Sequence, residues 1–67
     1  MASVGEEILV ELKRNRELLQ VYRDLPDGVG TFGATMIEMD IDTAERALAE
    51  NDVVKILTAY EKLKGNE

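Results

Sequence analysis

The chain has 67 residues, no cysteine, no histidine and a formal net charge of −6 at pH 7. These properties exclude disulfides, thiolate metal sites and catalysis by a thiol or an imidazole, and the length fits one small domain. A chain this short buries little core, so we expect self-association to stabilise it, and an acidic chain is not expected to neutralise nucleic-acid phosphates.

The chain is predicted to be soluble and cytoplasmic. The opening "MASVGEEILVELKR" has the acidic residues and short apolar runs that argue against a secretion signal. The longest uncharged run, Gly28 to Ile37, is far shorter than the roughly 20 apolar residues that span a bilayer. The lack of cysteine fits a reducing compartment, and nothing in the sequence predicts a membrane contact or a cofactor.

The first predicted element is a helix over residues 4–24, which Ser3 and Glu6 begin with the S-x-x-E capping pattern. An apolar seam with heptad spacing runs along this helix and predicts a self-association surface, most simply in a homodimer. The seam consists of Ile8, Leu12, Asn15, Leu19 and Tyr22.

Asn15 is the polar member of that seam, and two interpretations of it are open. It lies at a partly wet edge of the seam, or it is buried across a two-fold axis and fixes the register of two helices. Under the second interpretation, Asn15→Leu would change the oligomeric state.

A glycine-rich turn is predicted over residues 25–32, because Pro26 stops the first helix and Asp27-Gly28 is typical of turns. Gly28, Gly30 and Gly33 spell G-x-G-x-x-G, the glycine pattern of dinucleotide-binding proteins. That site follows a strand and opens a helix within a parallel sheet, whereas here a helix and a proline precede the glycines. We therefore do not expect a Rossmann-type site.

Two interpretations of the glycines remain. The favoured one is a sharp reversal that lets the next helix pack closely, since the neighbouring charge is acidic. The other is a set of loop amides that hold an anion with the help of a basic side chain. That site would combine Gly28, Gly30, Thr31 and Gly33 with Arg14, Arg16 and Arg23.

Two further helices, at residues 33–50 and 53–64, are predicted to form an αα-hairpin. Thr31 is the candidate cap of the second helix, Asn51 its left-handed end, and Asp52 the cap of the third. The predicted core face of the second helix has small and apolar residues. Its flanking methionines are expected to pack, and the alternative is that they serve as an adaptable interaction surface. These residues are Ile37, Ile41, Ala44 and Leu48, flanked by Phe32, Met36, Met39 and Ala47.

The second helix also carries a predicted acidic face for binding a partner, formed by Glu38, Asp42 and Glu45. Asp40-Ile41-Asp42 begins like a calcium loop, but the residues that follow do not continue it, so no metal site is predicted. We expect the acidic face to pair with basic residues of the first helix, in the same chain or in another. These basic residues are Lys13, Arg16 and Arg23.

Two stretches resemble known families. Residues 47–64, "ALAENDVVKILTAYEKLK", resemble the middle of a tetratricopeptide repeat, which implies a helical hairpin; there is no second copy. The longer run from Val21, with "FGA", "DVV" and "YEKLK", resembles short accessory proteins encoded by phages and prophages. That resemblance implies a phage or prophage setting. It includes no catalytic motif.

The sequence thus predicts one all-α domain over residues 1–67, with a long first helix, a glycine-rich turn and a C-terminal hairpin, and predicts that it self-associates. The leading functional hypothesis is a small non-enzymatic interaction protein that binds a host or phage protein. One alternative is a binder that sequesters an anionic small ligand or nucleotide at the glycine-rich turn. The other is an acidic mimic of DNA.

Overall fold

The computed structural model describes residues 3–67. Residues 1 and 2, which begin both the predicted domain and the segment predicted not to be a secretion signal, lie outside the described residues. Between residues 3 and 67 the chain forms α1 (Val4–Arg23), a short 3-10 turn (Pro26–Gly28), α2 (Thr31–Glu50) and α3 (Val53–Lys64), without strands. The all-α prediction with a C-terminal helical hairpin is confirmed.

The helix ends follow the predicted capping residues, with one exception. Ser3 Oγ accepts a hydrogen bond from the Glu6 amide at 3.2 Å, and Asp52 Oδ1 accepts one from the Lys55 amide at 3.1 Å. Asn51 ends α2 in the left-handed conformation, with φ of 54°. Thr31 does not cap α2, because it is already the first helical residue and follows the N-cap Gly30, which has no side chain to do so.

The three helices form an up-down-up bundle. The turn before α2 and the Asn51-Asp52 connection are both short, so consecutive helices run antiparallel and α1 lies parallel to α3. Each helix packs against both of the others. The first and third helices are therefore neighbours although they are distant in sequence.

The core lies along the axis of the bundle, and all three helices contribute to it. Alanines on α2 and α3 are among its most buried residues, and their small side chains allow the two backbones to approach closely. Burying each leucine or isoleucine stabilises the fold by about 1.5–3 kcal/mol. The buried apolar residues are Ile8, Leu12, Leu19, Ala34, Ile37, Ile41, Ala44, Ala47, Ile56, Ala59 and Leu63.

The third helix is shorter than the other two, with 12 residues against 20 in each of them. It ends beside the middle of α1, and the segment after it continues across the α1–α2 pair. There Asn66 donates to Asp40 Oδ2 at 3.1 Å, and the Tyr22 hydroxyl donates to the Glu67 carbonyl. One end of the molecule is thus a three-helix bundle, and the other is a helical pair that meets the C-terminal residues.

Candidate functional site

The predicted self-association seam of α1 lies in the core of a single chain. Ile8, Leu12 and Leu19 are only 0%, 2% and 8% exposed, and Tyr22 is partly buried against the same core. The assignment of these side chains to an interface between copies is wrong, because α2 and α3 of the same chain already cover them. Self-association remains a prediction, and it would have to use another surface.

Asn15 matches neither of its two interpretations. It is fully buried inside one chain, where its amide donates to the Glu11 carbonyl at 2.8 Å and to the Leu63 carbonyl at 3.1 Å. Its Oδ1 accepts from Asn66 Nδ2 at 2.9 Å. Asn15 therefore joins the end of α3 to the middle of α1 and satisfies buried polar groups on both.

Arg14 reinforces the same junction. Its guanidinium donates to the carbonyls of Leu63 and Asn66, both at 2.8 Å, and also contacts the Glu11 carboxylate at 2.8 Å. A cation at the C-terminal end of a helix interacts favourably with the helix dipole and with the last carbonyls. Arg14 is thus occupied by α3 and is not part of an anion site at the glycine-rich turn.

The glycines of the turn have structural roles that support the favoured interpretation. Gly28 has a φ of +69° and follows Asp27 at +58°, so the chain reverses through two left-handed residues. A Cβ on Gly30 would overlap the Tyr22 carbonyl, and a Cβ on Gly33 would overlap the Tyr22 ring. These glycines let the start of α2 lie directly against the end of α1.

The structure does not bring together the residues predicted for an anion site. Arg16 pairs with Glu45 at 3.4 Å, away from the turn. Arg23 reaches a pocket of about 230 Å³ that Gly28 and Thr31 also line, but Glu38 lines the same pocket and pairs with Arg23. The basic side chain at the turn is therefore already neutralised by a carboxylate.

The acidic face of α2 lies mainly against α1, as one of the two pairing alternatives predicts. Glu38 and Glu45 form ion pairs with arginines of the same chain. Within residues 3–67, Asp42 and Lys13 have no such partner. Each of these ion pairs is about half exposed, so it stabilises the fold by about 0–1 kcal/mol.

A row of exposed apolar side chains, here called the α2 stripe, runs along the outer surface of α2. It consists of Phe32, Met36 and Met39, which are 79%, 45% and 57% exposed. The prediction that the methionines pack in the core is wrong, because the buried face of α2 lies around Ile37 and Ile41 and these side chains point outward. The spacing of four and then three residues aligns them on one face of the helix.

Two other parts of the surface precede and follow the α2 stripe along the chain. At one end Leu25 and Val29, in the turn, are also exposed. At the other end, a helical turn beyond Met39, Thr43 begins a shallow groove of about 310 Å³ between α2 and α3. The other groove residues are Ala47, Val54, Thr58 and Ala59, with Arg46, Glu50 and Lys55 carrying its charges.

Two of the three charged residues in that groove compensate each other. Lys55 Nζ lies 2.8 Å from Glu50 Oε2, and the hydrogen bond and charge of this carboxylate raise the pKa of Lys55 above its ordinary value. Among residues 3–67, Arg46 has no ion pair. The groove therefore offers three small apolar side chains and two threonines, beside a Lys55–Glu50 ion pair and the unpaired cation Arg46.

The described residues contain no group of three or more histidine, cysteine, aspartate or glutamate side chains that could hold a metal ion. No helix between residues 3 and 67 is long and apolar enough to cross a membrane. By its architecture the chain belongs to the class of small three-helix bundles. Comparison with protein-family models, curated proteins and solved structures finds no match to this chain.

Proposed function

We propose that this chain is a non-enzymatic binding module that recognises another protein through the α2 stripe. The observation that carries the proposal is the exposure of Phe32, Met36 and Met39 on a helix whose other face is fully packed. A row of large apolar side chains in water is unfavourable, and contiguous patches of this kind typically mark interaction sites.

The composition of the stripe suits this role. A phenylalanine supplies a large apolar contact area, and methionines are flexible enough to adapt to an irregular partner surface. The stripe also sits on a helix held by a continuous core, so a partner would meet a surface that is already ordered. Binding would then cost little conformational entropy in the backbone.

The sequence supports a role without catalysis, because it lacks histidine and cysteine and contains no catalytic motif. The resemblance to phage and prophage accessory proteins supports a partner encoded by the host or the phage, in the cytoplasm. The alternatives have less support: the arginines of the proposed anion site contact carboxylates and backbone carbonyls. A DNA mimic would need an uncompensated acidic surface, and two of the three predicted carboxylates are paired.

Affinity capture from a lysate of the native host, read by mass spectrometry, tests the proposal. The immobilised baits would be the wild-type chain, a stripe variant (Phe32→Ser, Met36→Ser, Met39→Ser) and a control variant with exposed apolar residues of α1 replaced. The control substitutions are Leu9→Ser, Val10→Ser and Val21→Ser. Circular dichroism should show the same helix content for all three baits.

We expect one or more proteins to be enriched by the wild type and by the control variant, and to be lost with the stripe variant. Retention of the same proteins by a folded stripe variant would contradict the proposal. Enrichment of nothing by the wild type would also count against it.

A further inference from the structure

The spacing of the α2 stripe fits a helical ligand. Phe32, Met36, Met39 and Thr43 follow one another at intervals of four, three and four residues, which is the seam of a heptad pattern. Over this span of 11 residues the helix rises about 16 Å, or three turns. A second helix laid along the seam can interleave its side chains with these residues.

The α2 helix is strongly acidic. The helix carries five carboxylates and a single base, Arg46. The carboxylates differ in their surroundings: Glu38 and Glu45 are paired with arginines of α1, and Glu50 is paired with Lys55. These three acids contribute little net charge to the outer surface.

The two remaining carboxylates edge the stripe. Asp40 lies four residues after Met36, and Asp42 lies three residues after Met39, so each is a surface neighbour of a stripe methionine. Asp40 accepts a hydrogen bond only from the neutral amide of Asn66, and Asp42 has no hydrogen-bond or ion-pair partner within residues 3–67. The stripe is therefore bordered by two carboxylates that form no ion pair within residues 3–67, with the single cation Arg46 one turn beyond Asp42.

A second copy of the chain is a poor occupant for this surface. A symmetric pairing of two α2 stripes would bring the edging aspartates of both copies to the same interface, in chains that each carry a net charge of −6. Juxtaposed like charges of this kind disfavour association. A ligand with the opposite charge gains from the same aspartates.

We infer that the partner presents an amphipathic helix whose apolar row is flanked by lysine or arginine side chains. This inference rests on the proposed function and names the chemistry that the α2 stripe would recognise. The apolar row would cover Phe32, Met36 and Met39, and the basic flanks would meet Asp40 and Asp42. A helix in this mode is recognised through anchors at helical spacing.

Two synthetic peptides test the inference on the full chain. Both have leucines at heptad seam positions, and they differ only in having lysine or glutamate at the flanking positions; a scrambled lysine peptide is the composition control. Fluorescence anisotropy at physiological salt should give binding of the lysine peptide at least about tenfold tighter than the glutamate peptide. The scrambled peptide should bind at least about tenfold more weakly, because its leucines no longer share one face.

Variants separate the apolar and the charged contributions. The stripe variant keeps every charge, yet it should lose about tenfold or more in affinity for the lysine peptide. Asp42→Lys should lower the affinity for the lysine peptide and raise the affinity for the glutamate peptide, each by about threefold. Lys13→Glu, an exposed change on α1, serves as the control and should leave the preference between the peptides unchanged.

Three results would overturn the inference. Equal or preferred binding of the glutamate peptide, lost in the stripe variant, would reject the basic partner and leave the binding role of the stripe intact. Unchanged binding of the lysine peptide by the stripe variant would show that this peptide binds by non-specific charge attraction and not through the stripe. A dimer in sedimentation that the stripe variant abolishes would identify a second copy as the occupant.

Discussion

The side-chain amide of Asn15 donates to the carbonyl of Leu63 at 3.1 Å and so connects two helices through residues 48 positions apart in the chain. The same Asn15 accepts from Asn66, and Arg14 also donates to the carbonyl of Leu63, at 2.8 Å. This junction fixes where α3 ends relative to α1. The apolar seam of α1, with Asn15 as its one polar member, therefore lies in the core of a single chain.

Replacing Asn15 with leucine should lower stability without changing the oligomeric state. The substitution removes two donated bonds and the acceptor for Asn66, and leaving buried polar groups unsatisfied costs about 1–3 kcal/mol. Urea unfolding measures the loss, and Lys13→Leu, on the exposed side of α1, should change stability by less than about 0.5 kcal/mol. A change in sedimentation profile for Asn15→Leu would restore the interface interpretation of the seam.

Gly33→Ala should destabilise the fold because the added methyl overlaps the Tyr22 ring. Overpacking of this kind typically costs about 1–3 kcal/mol, which exceeds the gain of about 0.5–1 kcal/mol from replacing glycine in a helix. Gly5→Ala provides the matched control, since its added Cβ would meet nothing nearer than Ser3 Oγ at 3.7 Å, and it should be neutral or stabilising. Equal effects of the two changes would show that Tyr22 does not require the glycine.

Combining Gly33→Ala with Tyr22→Leu should recover part of the loss, because the smaller side chain no longer fills the space above Gly33. The two changes should therefore be non-additive, as expected for residues in contact. A double-mutant cycle from thermal melts measures this coupling. Strict additivity would show that the destabilisation by Gly33→Ala arises in the backbone and not from contact with the Tyr22 ring.

Removing the ion pairs between α1 and α2 should have a small effect. Arg16→Gln and Arg23→Gln should each change stability by less than about 1 kcal/mol, because the paired side chains are about half exposed. The difference from wild type should shrink further at 1 M salt, about where the screening length falls to 3 Å. A loss above about 2 kcal/mol that persists at high salt would contradict the conclusion that these half-exposed ion pairs contribute little to stability.

The pair of Lys55 and Glu50 predicts a pH dependence at alkaline pH. The raised pKa of Lys55 means that its charged form is favoured in the folded state, so its contribution is fully present below the ordinary lysine pKa of 10.5. The contribution is lost as the pH rises through the folded pKa. Urea unfolding at pH values from well below to well above the ordinary lysine pKa of 10.5 should therefore show a shallower alkaline decline for Lys55→Gln than for wild type. Parallel curves for the two proteins would contradict the assignment.

Local features of the fold could be predicted from the sequence. Ser3 and Asp52 act as caps, and Asn51 is left-handed, because these events depend on residues within one helical turn. The same is true of the turn at Asp27-Gly28, which relies on the backbone preferences of those two residues.

Features that depend on tertiary packing could not be predicted in the same way. The seam around Leu12 shows that α1 must be covered, but its spacing is the same whether the cover comes from α2 and α3 or from another copy. Likewise, Met36 and Met39 are apolar residues on a helix with a wide apolar surface, and packing against α1 and α3 leaves their side facing water. The spacing of Phe32, Met36 and Met39, offset from the Ile37–Ile41 face, is the signal that could have separated the two sides.

Because α1 and α3 run parallel and Glu67 is held beside Tyr22, the start of α1 and the C-terminal residue lie far apart. Val4 and Tyr22 are 18 residues apart on one helix, which corresponds to a rise of about 27 Å. A donor and an acceptor dye attached beside Val4 and Glu67 would therefore sit at an intermediate transfer distance in the native bundle. Release of the C-terminal residues from α1 would change that distance, so the dye pair would report on the docking of α3 independently of total helix content.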